Sequence, residues 1–161
     1  MPAEHARART PAGDAVTGLV LPAFELNAEF LLVAETLTRP VGLTPAWWQV
    51  LAAAGREPLP VAELARRVGL GLARQSVQRV ADLLVEAGWA VYRDNPAHRR
   101  AKLLEPTDKG RSALRQLAAS QRDWADAVGA EVGEEELRHV LAVLRRVTES
   151  SRSHRDLTTG G

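Results

Sequence analysis

The chain of 161 residues contains no cysteine. That excludes a disulfide framework, a cysteine zinc site, an iron–sulfur cluster and a thiol redox switch. Also missing are a glycine-rich phosphate loop, a nucleophile elbow and a paired metal-ligand motif, so the chain does not read as an enzyme. The four histidines, His5, His98, His139 and His154, are too scattered for ligand spacing, and neither a metal nor a cofactor is expected. No apolar run reaches the roughly 18 residues of a membrane span, so no membrane partner is expected. The first residues, MPAEHARARTPAGD, hold no apolar signal core, which leaves the cytoplasm as the expected compartment.

What is present is the composition of a globular protein, 45% hydrophobic and 25% charged, at a length that suits one domain. The net charge of +1 hides an asymmetry. Residues 56–115 carry 12 Lys+Arg against 7 Asp+Glu, whereas residues 1–55 carry 3 against 5 and residues 116–161 carry 6 against 8. A basic middle between mildly acidic ends points to a nucleic-acid surface mounted on other elements, although a solvated basic face produces the same pattern.

Residues 1–14, broken by Pro2, Pro11 and Gly13, are expected to be a disordered tail, as are residues 151–161. The domain between them, residues 15–150, is mainly helical. Leu19, Leu26, Phe30, Val33 and Leu37 recur at helical spacing over 16–38, with Pro22 placing a start near Leu21 or a kink. Thr44-Pro45 is an N-cap and first-turn pair for a helix to about Ala54. A third helix is expected from Pro60 to Val68, and a fourth from Leu72 to Ala87, closed by Gly88. Residues 89–105 then switch to β-formers around the turn Asp94-Asn95-Pro96-Ala97, which predicts a hairpin with a basic tip. Thr107 can cap a long helix to about Val128. Glu134 to Thr148 follows as a last helix, with acids in its first turn.

Two short helices, a longer helix and a β-hairpin are the order of a winged helix-turn-helix. A helix fits the B-DNA major groove, and the start of the longer one carries Arg74, Gln75, Ser76, Gln78 and Arg79. Arginine pairs bidentately with guanine and glutamine with adenine. The hairpin tip, with His98, Arg99, Arg100 and the following Lys102, has the reach and charge for the neighbouring minor groove. Arg66 and Arg67 read as solvated or phosphate-positioning groups.

At this point the residues resemble a family. The stretches Leu43-Thr44-Pro45-Ala46-Trp47-Trp48-Gln49-Val50-Leu51, Val61-Ala62-Glu63-Leu64-Ala65-Arg66-Arg67 and Arg74-Gln75-Ser76-Val77-Gln78-Arg79-Val80-Ala81-Asp82 are similar, in order and spacing, to the MarR family of bacterial transcription regulators. So are Asn95-Pro96-Ala97-His98-Arg99-Arg100-Ala101-Lys102 and Thr107-Asp108-Lys109-Gly110. The resemblance implies a winged helix-turn-helix at about 43–106 and a homodimer held by long helices at about 16–39 and 107–149. It also implies a small-molecule effector between the dimerisation layer and the winged module, where Phe24, Trp47, Trp48 and Trp124 make an aromatic lining. One of Trp47 and Trp48 is expected in the core and the other in that cleft. The sequence departs from the family pattern by two extra residues before Arg74 and by Pro106, expected to end the second wing strand early.

The function expected is a homodimeric repressor of an inverted-repeat operator in double-stranded DNA, released by a small aromatic or amphipathic ligand. Two alternatives stand beside it: a winged-helix module that docks an acidic protein, and a DNA-binding regulator without a ligand.

Overall fold

The structure is a computed structural model that describes residues 10–68 and 74–159. Its elements in order are α1 (Pro11–Gly18), α2 (Val20–Thr38), a 3-10 turn (Arg39–Val41), α3 (Pro45–Arg56), β1 (Leu59–Pro60), α4 (Val61–Val68), α5 (Arg74–Glu86), β2 (Ala90–Arg93), β3 (Leu103–Pro106), α6 (Asp108–Val132) and α7 (Glu134–Thr159). The chain is mainly α with a small antiparallel sheet of order β1-β3-β2. It divides into two compact units, Met1–Leu117 and Ala118–Gly161.

The first unit is built around one core. Val50, Leu51 and Ala54 from α3, Leu64 from α4, Val77, Ala81 and Leu84 from α5, Ala90 and Leu104 from the sheet, and Ala113 and Leu117 from α6 close on one another. Thr44 caps α3 as its sequence suggests, its Oγ1 accepting from the Trp47 amide at 3.2 Å. Gly88 ends α5 with φ of 76°, a left-handed conformation that costs glycine little. The hairpin pairs Ala90 with Pro106 and Arg93 with Leu103, and β1 adds Leu59 opposite Leu104. Thr107 caps α6 by accepting from the Gly110 amide at 3.2 Å, and its own hydroxyl donates to the Gly88 carbonyl at 2.8 Å.

Several expectations need correcting. Residues 11–14 belong to a helix: Thr10 accepts from the Gly13 amide at 3.1 Å and Pro11 occupies the first turn, where a missing N–H costs nothing. The chain breaks between α1 and α2 at Leu19, because Pro22 has no N–H for the Gly18 carbonyl and its ring crowds that group. The C-terminal stretch 151–159 is likewise helical. It continues α7 without a break, and Ser153 Oγ donates to the Glu149 carbonyl at 3.1 Å. Residues 1–9 and 160–161, also expected as tails, and the two extra residues before Arg74 lie outside the described residues.

Pro106 does not shorten its strand. It is the last residue of β3, buried, and paired with Ala90. A strand end tolerates a residue without a donor, and the ladder resumes with the Thr107 amide on the Trp89 carbonyl at 3.0 Å. Strand β1 was not foreseen, and Pro60 lies in it, so α4 starts at Val61.

By length and composition the helical stretch Pro11–Val41 is apolar enough to cross a membrane, contrary to the sequence expectation. It is nonetheless broken at Leu19 and carries Glu25, Glu29 and Glu35. Along it Val16, Leu21, Phe24, Leu26, Phe30, Leu31 and Leu32 are exposed, Phe24 to 68%. In the second unit α7 leaves Leu137, Val140, Leu141 and Leu144 exposed.

Candidate nucleic-acid interface

The exposed side of α5 follows from its buried side. Val77, Ala81 and Leu84 face the core, which turns Ser76, Gln78, Arg79 and Asp82 outward. Arg74 and Gln75 are the first two residues of the helix, and their side chains lie outside the described residues. Among the described residues Ser76 and Arg79 make no side-chain hydrogen bond or ion pair. They are therefore free to bind an external group.

The tip between β2 and β3 is shaped by its own backbone. Asn95 Oδ1 accepts from the Ala97 amide at 3.0 Å, and the Asn95 carbonyl accepts from the His98 amide at 3.2 Å. A further turn links the Ala101 amide to the His98 carbonyl at 3.1 Å. These turns hold His98, Arg99 and Arg100 exposed, and among the described residues none of the three side chains is paired. Arg93 braces the hairpin, its Nε reaching Glu105 Oε2 across it at 3.2 Å.

Helix and wing meet in one groove. It is lined by Pro60, Val61 and Ala62, by Gln78 and Tyr92, and by Arg100, Ala101 and Lys102. Three polar groups join across it: the Tyr92 hydroxyl donates to Asp82 Oδ1 at 2.6 Å, and Gln78 Nε2 donates both to that oxygen at 3.0 Å and to the Tyr92 oxygen at 3.1 Å. Burial, followed by its bond to the Asp82 carboxylate, pushes the Tyr92 phenol up to about 12. Sequence reasoning passed over Tyr92 and Asp82. The i,i+4 spacing of Gln78 and Asp82 is legible in the sequence, but nothing there places Tyr92 against them.

Arg66 is exposed and, among the described residues, unpaired. Arg67 is committed to Glu57 at 2.8 Å and Glu63 at 3.3 Å, and the Glu57 hydrogen bond holds its guanidinium still more firmly protonated.

The aromatic residues expected around a ligand do not all behave alike. Trp47 and Trp48 both pack, partly buried, against the core of the first unit, where only one was expected. Phe24 is exposed on α2, and Trp124 lies in the second unit, half-buried.

Residues 41–101, which hold α3 to α5 and most of the wing, match the model of the MarR family. The chain belongs to the MarR family. An uncharacterized protein of Mycobacterium tuberculosis is 35% identical over 139 residues, covering 82% of this chain and 96% of its own. A crystal structure of a MarR family transcription regulator superposes with a TM-score of 0.79 at 19% identity, over 92% of this chain and 95% of that one. The transcriptional regulator MOSR of M. tuberculosis, solved in complex with DNA, superposes with a TM-score of 0.62 at 26% identity, over 82% and 96%. MarR membership places the chain among non-enzymatic transcription regulators with a winged helix-turn-helix.

Proposed function

We propose that this MarR-family protein is a homodimeric repressor that binds an inverted-repeat operator in the bacterial cytoplasm. The single observation that carries this reading is the row of unpaired groups on α5 and the wing tip. Ser76, Arg79, His98, Arg99, Arg100 and Lys102 are exposed and, among the described residues, without a partner. A cation left without an internal partner is available for phosphate. In this reading α5 enters the major groove with Arg74, Gln75, Ser76, Gln78 and Arg79 toward the base edges. The wing lays Arg99 and Arg100 along the flanking minor groove, with His98 and Lys102 on the backbone.

The dimer is supported by where the apolar surface lies. Among the described residues the exposed large hydrophobics fall on α1, α2, α6, α7 and the Leu19 junction, and none on the winged module. Apolar patches of that kind mark interaction sites, and a two-fold dimer would present two recognition helices to two half-sites.

Release by a small aromatic or amphipathic ligand lined by Phe24, Trp47, Trp48 and Trp124 belongs to the same proposal. Such a ligand must prefer a spacing of the two recognition helices that DNA disfavours, and DNA then weakens the ligand by the same factor. A second reading, a regulator without a ligand, is favoured by the packing of both Trp47 and Trp48 against the core. Tryptophan fluorescence titrated with a panel of aromatic acids separates the two.

The decisive experiment is selection of bound sequences from random DNA by the purified protein, followed by a salt titration on the winner. An enriched inverted repeat, bound at nanomolar strength with several counterions released, is the expected result. Absence of any enriched motif, with only weak salt-labile binding, would reject the operator reading in favour of a module that docks an acidic protein.

A further inference from the structure

We propose that Gln78 is an acceptor-only base reader, oriented by Tyr92 and Asp82, so that the operator position it faces holds an amino base, adenine or cytosine. This inference rests on the reading that α5 enters the major groove.

A glutamine amide can ordinarily turn either end toward a base. It pairs with adenine by using both ends at once, donating to N7 and accepting from the N6 amine. Gln78 does not have that freedom. The Asp82 carboxylate, 3.0 Å from Nε2, only accepts hydrogen bonds. The Tyr92 hydroxyl has a single proton and gives it to Asp82 at 2.6 Å, so it faces Gln78 with lone pairs, 3.1 Å from Nε2. Both neighbours therefore require a donor. Turning the amide over would set Oε1 against a carboxylate and a phenol lone pair. The two N–H groups of Gln78 are both consumed inside this triangle, and Oε1 is the polar atom left over. Among the described residues it has no partner, on an exposed side chain at the rim of the groove shared with Arg100 and Lys102.

A lone acceptor aimed into the major groove discriminates between bases in one way. Adenine N6 and cytosine N4 offer hydrogens to it, whereas guanine O6 and thymine O4 oppose it with lone pairs. The triangle thus trades the usual glutamine preference for adenine against a two-base preference. Tyr92 and Asp82 act as positioning residues, since neither touches the base. The phenol proton on which the arrangement depends stays in place at physiological pH, because burial and the Asp82 bond push Tyr92 up to about 12.

The test is selection of bound sequences from random duplex DNA by the full chain and by three variants, Gln78→Ala, Tyr92→Phe and Asp82→Ala. The wild type is expected to show one position per half-site where adenine and cytosine together exceed guanine and thymine by about five- to tenfold. Gln78→Ala should flatten that position alone. Both variants should reduce the excess there below about twofold: Asp82→Ala by freeing the amide to turn, and Tyr92→Phe by releasing the second N–H, which can then donate to O6 or O4. A position that prefers adenine without cytosine, or a profile unchanged in Tyr92→Phe and Asp82→Ala, overturns the inference while leaving the operator reading intact. A wild type that enriches no motif overturns both.

A second readout needs no DNA. Tyr92 is the only tyrosine in the chain, so ultraviolet titration reports on it alone. Its midpoint is expected near 12 in the wild type and lower in Asp82→Ala, where burial remains to raise it but the Asp82 bond does not. An equal midpoint in both proteins refutes the triangle itself. Asp82 is an exposed helical position where alanine is a good helix former, so the variant is expected to keep its fold.

Discussion

Gly110, in the first turn of α6, lies directly against the carbonyl of Trp89, the residue that leads into the wing. A Cβ on Gly110 would collide with that oxygen and come within 3.2 Å of Pro106 Cβ. The start of α6 is thereby joined to the base of the hairpin, backbone to backbone. Gly110→Ala is expected to destabilise the protein by about 1–3 kcal/mol, the usual cost of forced overpacking. A thermal melt showing an unchanged midpoint would contradict the tight contact.

Thr107 secures the same junction from its side chain, with Oγ1 both capping α6 and donating to the Gly88 carbonyl. Thr107→Ala should cost about 0.5–2 kcal/mol and Thr107→Ser much less, because serine keeps both hydrogen bonds. Chemical denaturation of the two variants distinguishes the hydroxyl from the methyl.

For the wing tip, Arg99→Ala and Arg100→Ala should each weaken DNA binding at all sequences alike. Each should also reduce the slope of log affinity against log salt by about 1. Unchanged affinity at physiological salt in the double variant would remove the wing from the interface.

The pH dependence of stability carries a signature of Tyr92. In the unfolded chain a tyrosine titrates near 10, and in the folded chain this one is held up to about 12. Between those values the folded state keeps a proton that the unfolded state has lost, so stability falls as pH rises from about 10 to 12. Denaturation midpoints across that window should drop less steeply in Tyr92→Phe than in the wild type. Parallel curves would mean that the phenol is not held.

The apolar face of α2 predicts an oligomeric effect. Phe24 is 68% exposed in the single chain, so Phe24→Arg places a charge on surface that only association would bury. The variant should remain folded and become monomeric by sedimentation, with operator affinity lost by at least tenfold. A dimer that persists would exclude this part of α2 from the interface.

The sequence by itself determined the features whose causes lie within about one helical turn or one hairpin. The Thr44 and Thr107 caps, the Gly88 stop, the apolar stripe of α5 and the basic tip around Arg99 and Arg100 are all local. Their residues meet because backbone geometry repeats every few positions. The helix at 11–18 is legible too, in Thr10 and Pro11, although Pro11 and Gly13 read equally well as breakers of a tail. Only the tertiary structure decided the contacts between distant residues. Tyr92 meets Asp82 because β2 folds back along α5. Gly110 meets Trp89 because α6 leaves the sheet beside the strand that begins the wing. Leu59 becomes a strand because β3 offers it an edge, and Trp47 and Trp48 both pack against the core because more than one neighbouring element closes over α3. In each case the two partners are set by the path of the chain, which no short spacing records. The same reason hid the orientation of Gln78: its type and its place on α5 could be read in advance, while the end of its amide that faces outward was settled by a tyrosine 14 residues away.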